Sequence, residues 1–244
     1  MNPESGSIHG DFENIDQLQE DIRTQDDQND SDKSKYEVFF DRPYALVKEA
    51  MAKYIESGNH LVDIGVNQGN LEDFLETKGK YTVDCVDVEE EAISKLKAKN
   101  YQNIEINPTV GDANEYIDNY ESQANVILIN ATLHEINNPA DQRAYLEHFL
   151  GKAKGMLGED GRIIIGDYYY PDHVTDEEVA GFIEYQKKAI NHADAREKFV
   201  RPELIKEMAV RFGFELEHFE EIRAVEEIDR RYYVIVLKKA EAKE

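Results

Sequence analysis

Cysteine and basic residues are what this chain has little of. Its single cysteine, Cys85, excludes an internal disulfide framework and a multi-cysteine zinc site. No apolar run approaches the ~20 residues needed to cross a bilayer. Met1 to Gly10 has neither a basic stretch nor an apolar core, so no secretory signal is expected and the cytoplasm is the expected location. Lysine and arginine number 28 against 52 acidic residues, a net charge of −24 over 244 residues. Binding to nucleic acid needs basic stripes that release counterions, and none is present. Nucleic acid and membrane surfaces are therefore excluded as partners, while the acidity itself reads as a solvated surface.

What is present falls into two parts. Residues 1–35 hold ten acidic and three basic residues, −7 of the −24. Within this acidic tail Phe12, Ile15, Leu18 and Ile22 recur at helical spacing, and Asp26 to Ser34 reads as a polar linker. Residues 36–244 read as one α/β domain. An amphipathic helix over Pro43–Glu56, with Pro43 in its first turn, precedes short apolar runs alternating with helical stretches. The expected strands are His60–Ile64, Thr82–Val86, Ile104–Asn107, Asn125–Ile129 and Arg162–Gly166. The expected helices are Asn70–Thr77, Glu90–Lys99, Ala113–Tyr120 and Pro139–Leu157. That order predicts a Rossmann-like, doubly wound, mostly parallel sheet. After a helix over Pro202–Phe212, two strands, Phe214–Ile222 and Arg231–Lys238, follow without a helix between them. They predict that the seven-stranded sheet ends in an antiparallel hairpin.

The densest signal is the run His60 to Leu71, where a strand reaches Asp63 and turns through Gly65, Asn67 and Gly69 into a helix. Glycines there let a ligand approach the backbone, Asn67 tolerates a left-handed conformation, and Asp63 can accept hydrogen bonds from an ammonium. The dinucleotide pattern of three glycines is not matched. Asp87 ends the second strand, 22 residues past Gly65. An acid there binds ribose hydroxyls or caps the next helix. Asp112, after the third strand, reads an adenine amino group or caps its helix.

With these landmarks the chain resembles the class I S-adenosylmethionine-dependent methyltransferases. The resemblance covers Tyr36 to Lys239. It rests on the Asp63-to-Gly69 loop, Asp87, Gly111-Asp112-Ala113, and Asn130-Ala131-Thr132-Leu133-His134-Glu135 after the fourth strand. The family often carries glycine where Asn67 stands. The resemblance implies that Asp63, Gly65, Asn67 and Gly69 line the methionine part of S-adenosyl-L-methionine, whose product is S-adenosyl-L-homocysteine. It further implies that Asp87 holds the ribose with Val88 beside the adenine, that Asp112 and Ala113 border the adenine edge, and that Asn130 contacts the amino-acid moiety.

The fourth-strand motif lacks the Asn/Asp-Pro-Pro-aromatic pattern of DNA amino-methylating relatives, and Cys85 lies inside a strand. A small-molecule acceptor is therefore expected, methylated at O or N rather than C, by in-line displacement. Asp167 is a poor match to a metal-binding carboxylate cluster even with Glu135 helping, so no metal is expected. His134 is the candidate base, with an ordinary pKa near 6.5. Residues 167–200 form an insertion expected to cover the acceptor. Tyr168, Tyr169, Tyr170 and His192 from it are candidate contacts, joined by Tyr36, Phe40 and Tyr44 from the N-terminal side. Two other readings stand beside this one: a silent methyltransferase fold acting as a scaffold, and a nicotinamide-dependent oxidoreductase. The sequence leaves monomer or homodimer open.

Overall fold

The computed structural model describes residues 35–67, 69–190, 194–225 and 228–240. Helix α1 (Lys35–Tyr54) precedes β1 (His60–Ile64), α2 (Asn70–Glu76), β2 (Tyr81–Asp87), α3 (Glu90–Ala98), β3 (Ile104–Val110) and α4 (Ala113–Asn119). Then follow β4 (Ala124–Asn130), α5 (Leu133–Ile136), α6 (Gln142–Met156) and β5 (Leu157–Tyr169). Helix α7 (Asp176–Ile190), a 3-10 turn (Arg196–Lys198), α8 (Pro202–Arg211), β6 (Phe214–Val225) and β7 (Arg230–Lys239) complete the chain.

One seven-stranded sheet runs in the order β3-β2-β1-β4-β5-β7-β6. Neighbours from β3 to β5 are parallel, whereas β7 pairs antiparallel with both β5 and β6. Helices cover both faces, so the central strands are apolar along their length. In β4 Val126, Ile127, Leu128 and Ile129 are all buried, as are Leu61, Val62 and Ile64 of β1. Each such side chain contributes roughly 1.5–3 kcal/mol of burial. The strand order reverses between β1 and β4, and the crevice at the carboxyl ends of the strands at such a switch point is where open α/β sheets bind ligands.

Several elements depart from the sequence expectation. Pro43 lies inside α1 rather than in its first turn. A proline there forfeits one backbone bond, but the helix continues through a buried face of Leu46, Val47, Ala50 and Met51 packed on β5, β6 and β7. Strand β3 runs three residues beyond the expected end, through Pro108, which an edge strand tolerates because its N–H side can face solvent. Strand β5 starts at Leu157 and ends at Tyr169 because β7 pairs with it past Gly166, Asp167 opposite Tyr233 and Tyr168 opposite Tyr232. The expected Pro139–Leu157 helix starts instead at Gln142, where the Asp141 side chain caps it by accepting from the Ala144 N–H. The acidic tail lies outside the described residues.

Candidate functional site

Strand β1 delivers Asp63 to the crevice almost completely buried, with the equally buried Glu72 of α2 beside it. Burial and the neighbouring Glu72 carboxyl push Asp63 well above the usual carboxylate range. Burial raises Glu72 as well, so the two acids cannot both ionise cheaply. Past them the chain turns through positive φ at Gly65 (81°), Asn67 (50°) and Gly69 (73°). A side chain at Gly65 is excluded twice over. Its φ is left-handed, and a Cβ there would lie 2.1 Å from Thr132 Oγ1, on the loop that follows β4. Bare backbone thus faces Thr132 across the switch point.

Asp87 ties this loop to the end of β2. Its Oδ2 accepts from the Asn67 N–H at 2.8 Å and its Oδ1 from the Glu89 N–H at 2.9 Å. Each carboxylate oxygen keeps a second lone pair, so tying the loop and accepting from a ligand hydroxyl are compatible. Val88, next along, is 73% exposed at the strand end. Asp112 caps α4, with Oδ1 accepting from the N–H groups of Asn114 and Glu115, and Ala113 is half-buried behind it. The Asn130 side chain turns across the sheet, where its Oδ1 accepts from the Tyr232 hydroxyl. After it, Ala131 adopts a left-handed φ of 52°, held by its N–H bond to the Gly166 carbonyl at 2.7 Å. Two non-glycine residues in this costly region, Asn67 and Ala131, flank one crevice, which is where such strain is characteristically spent.

Beyond Ala131 the short helix α5 presents His134, 6% exposed. Asp167 of β5 grips it twice, Oδ2 accepting from its backbone N–H at 2.8 Å and Oδ1 paired with ring Nδ1 at 2.7 Å. Ring Nε2 lies 3.5 Å from Glu135 Oε1 and from Asp194 Oδ2. Burial works against the charged ring, but Asp167 and then Asp194 overcome it and push the imidazole up to about 10. The two carboxylates thus favour the imidazolium over the neutral ring. Ligand atoms of His134, Glu135 and Asp194 gather within 4.8 Å of one another. Between the two carboxylates stands the Lys198 ammonium, 2.9 Å from Glu135 Oε2 and 3.0 Å from Asp194 Oδ1, supplying the positive charge such a trio seeks from an ion.

The three consecutive tyrosines separate because strand side chains alternate between faces. Tyr168 packs edge-on against Tyr232, and Tyr170 edge-on against Phe199, whose ring centroid is 5.0 Å from that of His134. Tyr169 points to the other face, packs on Tyr233 and donates its hydroxyl to Glu221 Oε2 at 2.6 Å. Of the three tyrosines expected to contact the acceptor, Tyr169 thus lies on the face away from Tyr168 and Tyr170. Tyr44 sits half-buried near Asn70 and Asp63; burial raises its phenol, partly offset by a hydrogen bond with Asn70. It adjoins the β1 loop and lies within electrostatic reach of Tyr232, the ring on which Tyr168 packs. The side chains of Tyr36 and Phe40, and all of His192, lie outside the described residues. The sequence reading missed Glu72, Ala131, Thr132, Lys198 and Phe199. Ala131 and Thr132 carried a signal, since both lie within the motif after β4.

A family model described as a methyltransferase domain matches residues 36–219. No curated protein matches the sequence significantly. Among solved structures, the chain is similar to an S-adenosylmethionine-dependent methyltransferase from Methanosarcina mazei, at 14% identity and a TM-score of 0.56, over 79% of this chain and 97% of that one. It is also similar to a cyclopropane synthase from Mycobacterium tuberculosis, at 12% identity and a TM-score of 0.61, over 80% and 84% of the two chains. The cyclase SpnF aligns at 11% identity and a TM-score of 0.59, over 81% of each chain. With its sheet order, its terminal hairpin and a matched family model spanning most of the chain, this protein belongs to the methyltransferase domain family, with the class I S-adenosylmethionine-dependent fold.

Proposed function

We propose that the chain transfers the methyl group of S-adenosylmethionine to the oxygen or nitrogen of a small-molecule acceptor. The observation that carries this reading is the cradle at the switch point, where the left-handed Gly65-to-Gly69 loop, tied by Asp87, faces Thr132 with no room for a Cβ at Gly65. The residues present fit the cofactor. Asp63 is a buried acceptor for its ammonium, the outer lone pairs of Asp87 suit ribose hydroxyls, and exposed Val88 with Asp112 and Ala113 borders the adenine. Bound there, the cofactor supplies an electrophilic methyl on a sulfonium.

The chain's own part is to position the two reactants and exclude water, which contributes on the order of 7–11 kcal/mol when the alignment is good. The segment 167–200 serves as the acceptor cover in this reading. Its Val174, Val179, Phe182, Phe199 and Val200 are buried, and Arg196 fastens it by donating to the carbonyls of Val174 and Pro171. His134 at neutral pH donates from Nε2 and holds Glu135 and Asp194 in place. Its action as a base is confined to alkaline pH, where the ring loses its proton. Incubation of the protein with methyl-labelled S-adenosylmethionine and fractionated small-molecule pools tests the proposal. Label should enter a low-mass product with formation of S-adenosylhomocysteine. Label found only in protein or nucleic acid contradicts it.

A further inference from the structure

Arg230, the first residue of β7, is 7% exposed in a strongly acidic chain, yet no ion pair joins it to a carboxylate of the described residues. Its Nε is buried without a hydrogen-bond partner. Its neighbour Arg231 shows how readily this chain pairs arginines, bonding both Asp229 and Glu221. Strand alternation sends the two guanidinium groups to opposite faces. Arg230 enters a cage of rings, 4.3 Å from the centroid of Tyr168, 4.8 Å from Phe199, 5.8 Å from Tyr170 and 6.0 Å from Phe182. Among the described residues, Asp229 is engaged with Arg231 and Asp194 with Lys198.

We propose that Arg230 anchors a carboxylate carried by the methyl acceptor. A buried guanidinium without a counter-ion is held at a cost. Ring faces compensate the charge but accept none of its N–H groups in line, and a carboxylate matches the planar fork with two parallel bonds. The cage adjoins His134 and the end of β4. Phe199 contacts both Arg230 and His134, and Tyr168 leads through Tyr232 to Asn130 at the end of β4. An acceptor spanning these groups has an anionic end at Arg230 and its nucleophile toward β4, and the flanking rings favour a flat or apolar body between them. This assignment rests on the methyltransferase reading above.

The test uses the full chain saturated with S-adenosylhomocysteine and paired probes that differ only in charge: acetate with acetamide, benzoate with benzamide, and 4-hydroxybenzoate with its amide. Binding is read by ligand-detected NMR. At least one carboxylate should bind while its amide does not. Arg230→Gln should weaken that binding by about tenfold or more while leaving S-adenosylhomocysteine affinity within a few-fold. Should Arg230→Gln fail to fold, Arg230→Lys keeps charge and bulk but loses the fork, and should weaken the same probe several-fold. Indifference to the amide exchange across all pairs, or carboxylate binding unchanged in the variants, overturns the proposal. Failure of S-adenosylhomocysteine to bind the wild-type chain overturns instead the reading on which it rests.

Discussion

His134 couples its protonation to the stability of the fold. Its ring is raised from an ordinary 6.5 to about 10 by Asp167 and Asp194, against the opposing effect of burial. Between those values the folded state holds a proton that the unfolded chain has released. The stability this contributes is full below pH 6.5 and is lost as pH rises toward 10. Replacing the ring in His134→Gln removes the linkage. The melting temperature of the variant should fall furthest below wild type near pH 6, and the gap should narrow steadily toward pH 10. A gap independent of pH would show that the imidazole is neutral in the fold. None of this was legible in the sequence, because Asp167 stands 33 residues from His134 and meets it only when β5 pairs with β4. Ala131 lay within the quoted motif after β4, but its backbone conformation was equally silent. A left-handed alanine leaves no mark in composition or spacing, whereas Asn67, a residue type that tolerates that region, did.

At the scale of elements, alternating strands and helices predicted the parallel sheet, and two successive strands without a helix predicted the terminal hairpin. Both were legible because hydrophobic period and connection length are local properties. Element lengths were less so. Strand β5 runs past Gly166 because β7, far along the chain, supplies partners for Asp167, Tyr168 and Tyr169. Asp87 shows how one residue joins two elements. The sequence offered ribose binding or helix capping as alternatives; the structure adds a third task, tying the Asn67 loop to β2. Asp87→Ala should therefore weaken S-adenosylhomocysteine by about 1.5–3 kcal/mol and also cost about 1 kcal/mol of stability through the two backbone N–H groups it abandons. Calorimetry and denaturant unfolding read the two effects separately. Lost stability with unchanged affinity would leave Asp87 as a structural tie only.

For the whole molecule, a net charge of −24 sets the kind of partner the surface attracts. It disfavours polyanions and favours a cationic methyl donor; Arg230, buried without a carboxylate partner among the described residues, stands out against this acidity. Among the described residues no helix is long and apolar enough to cross a membrane. The fold alone does not settle the reaction, since SpnF, a cyclase, shares it; the loops at the carboxyl ends of β1, β2 and β4 carry the argument. The most direct test of the central claim is thermal unfolding of the wild-type chain with S-adenosylhomocysteine and, in parallel, NAD. At 100 times its dissociation constant, S-adenosylhomocysteine should stabilise the fold by about 2.7 kcal/mol, a rise of roughly 5–10 °C for a chain of this size, and NAD should leave the transition in place. A transition unmoved by millimolar S-adenosylhomocysteine, or one raised by NAD, would contradict the account.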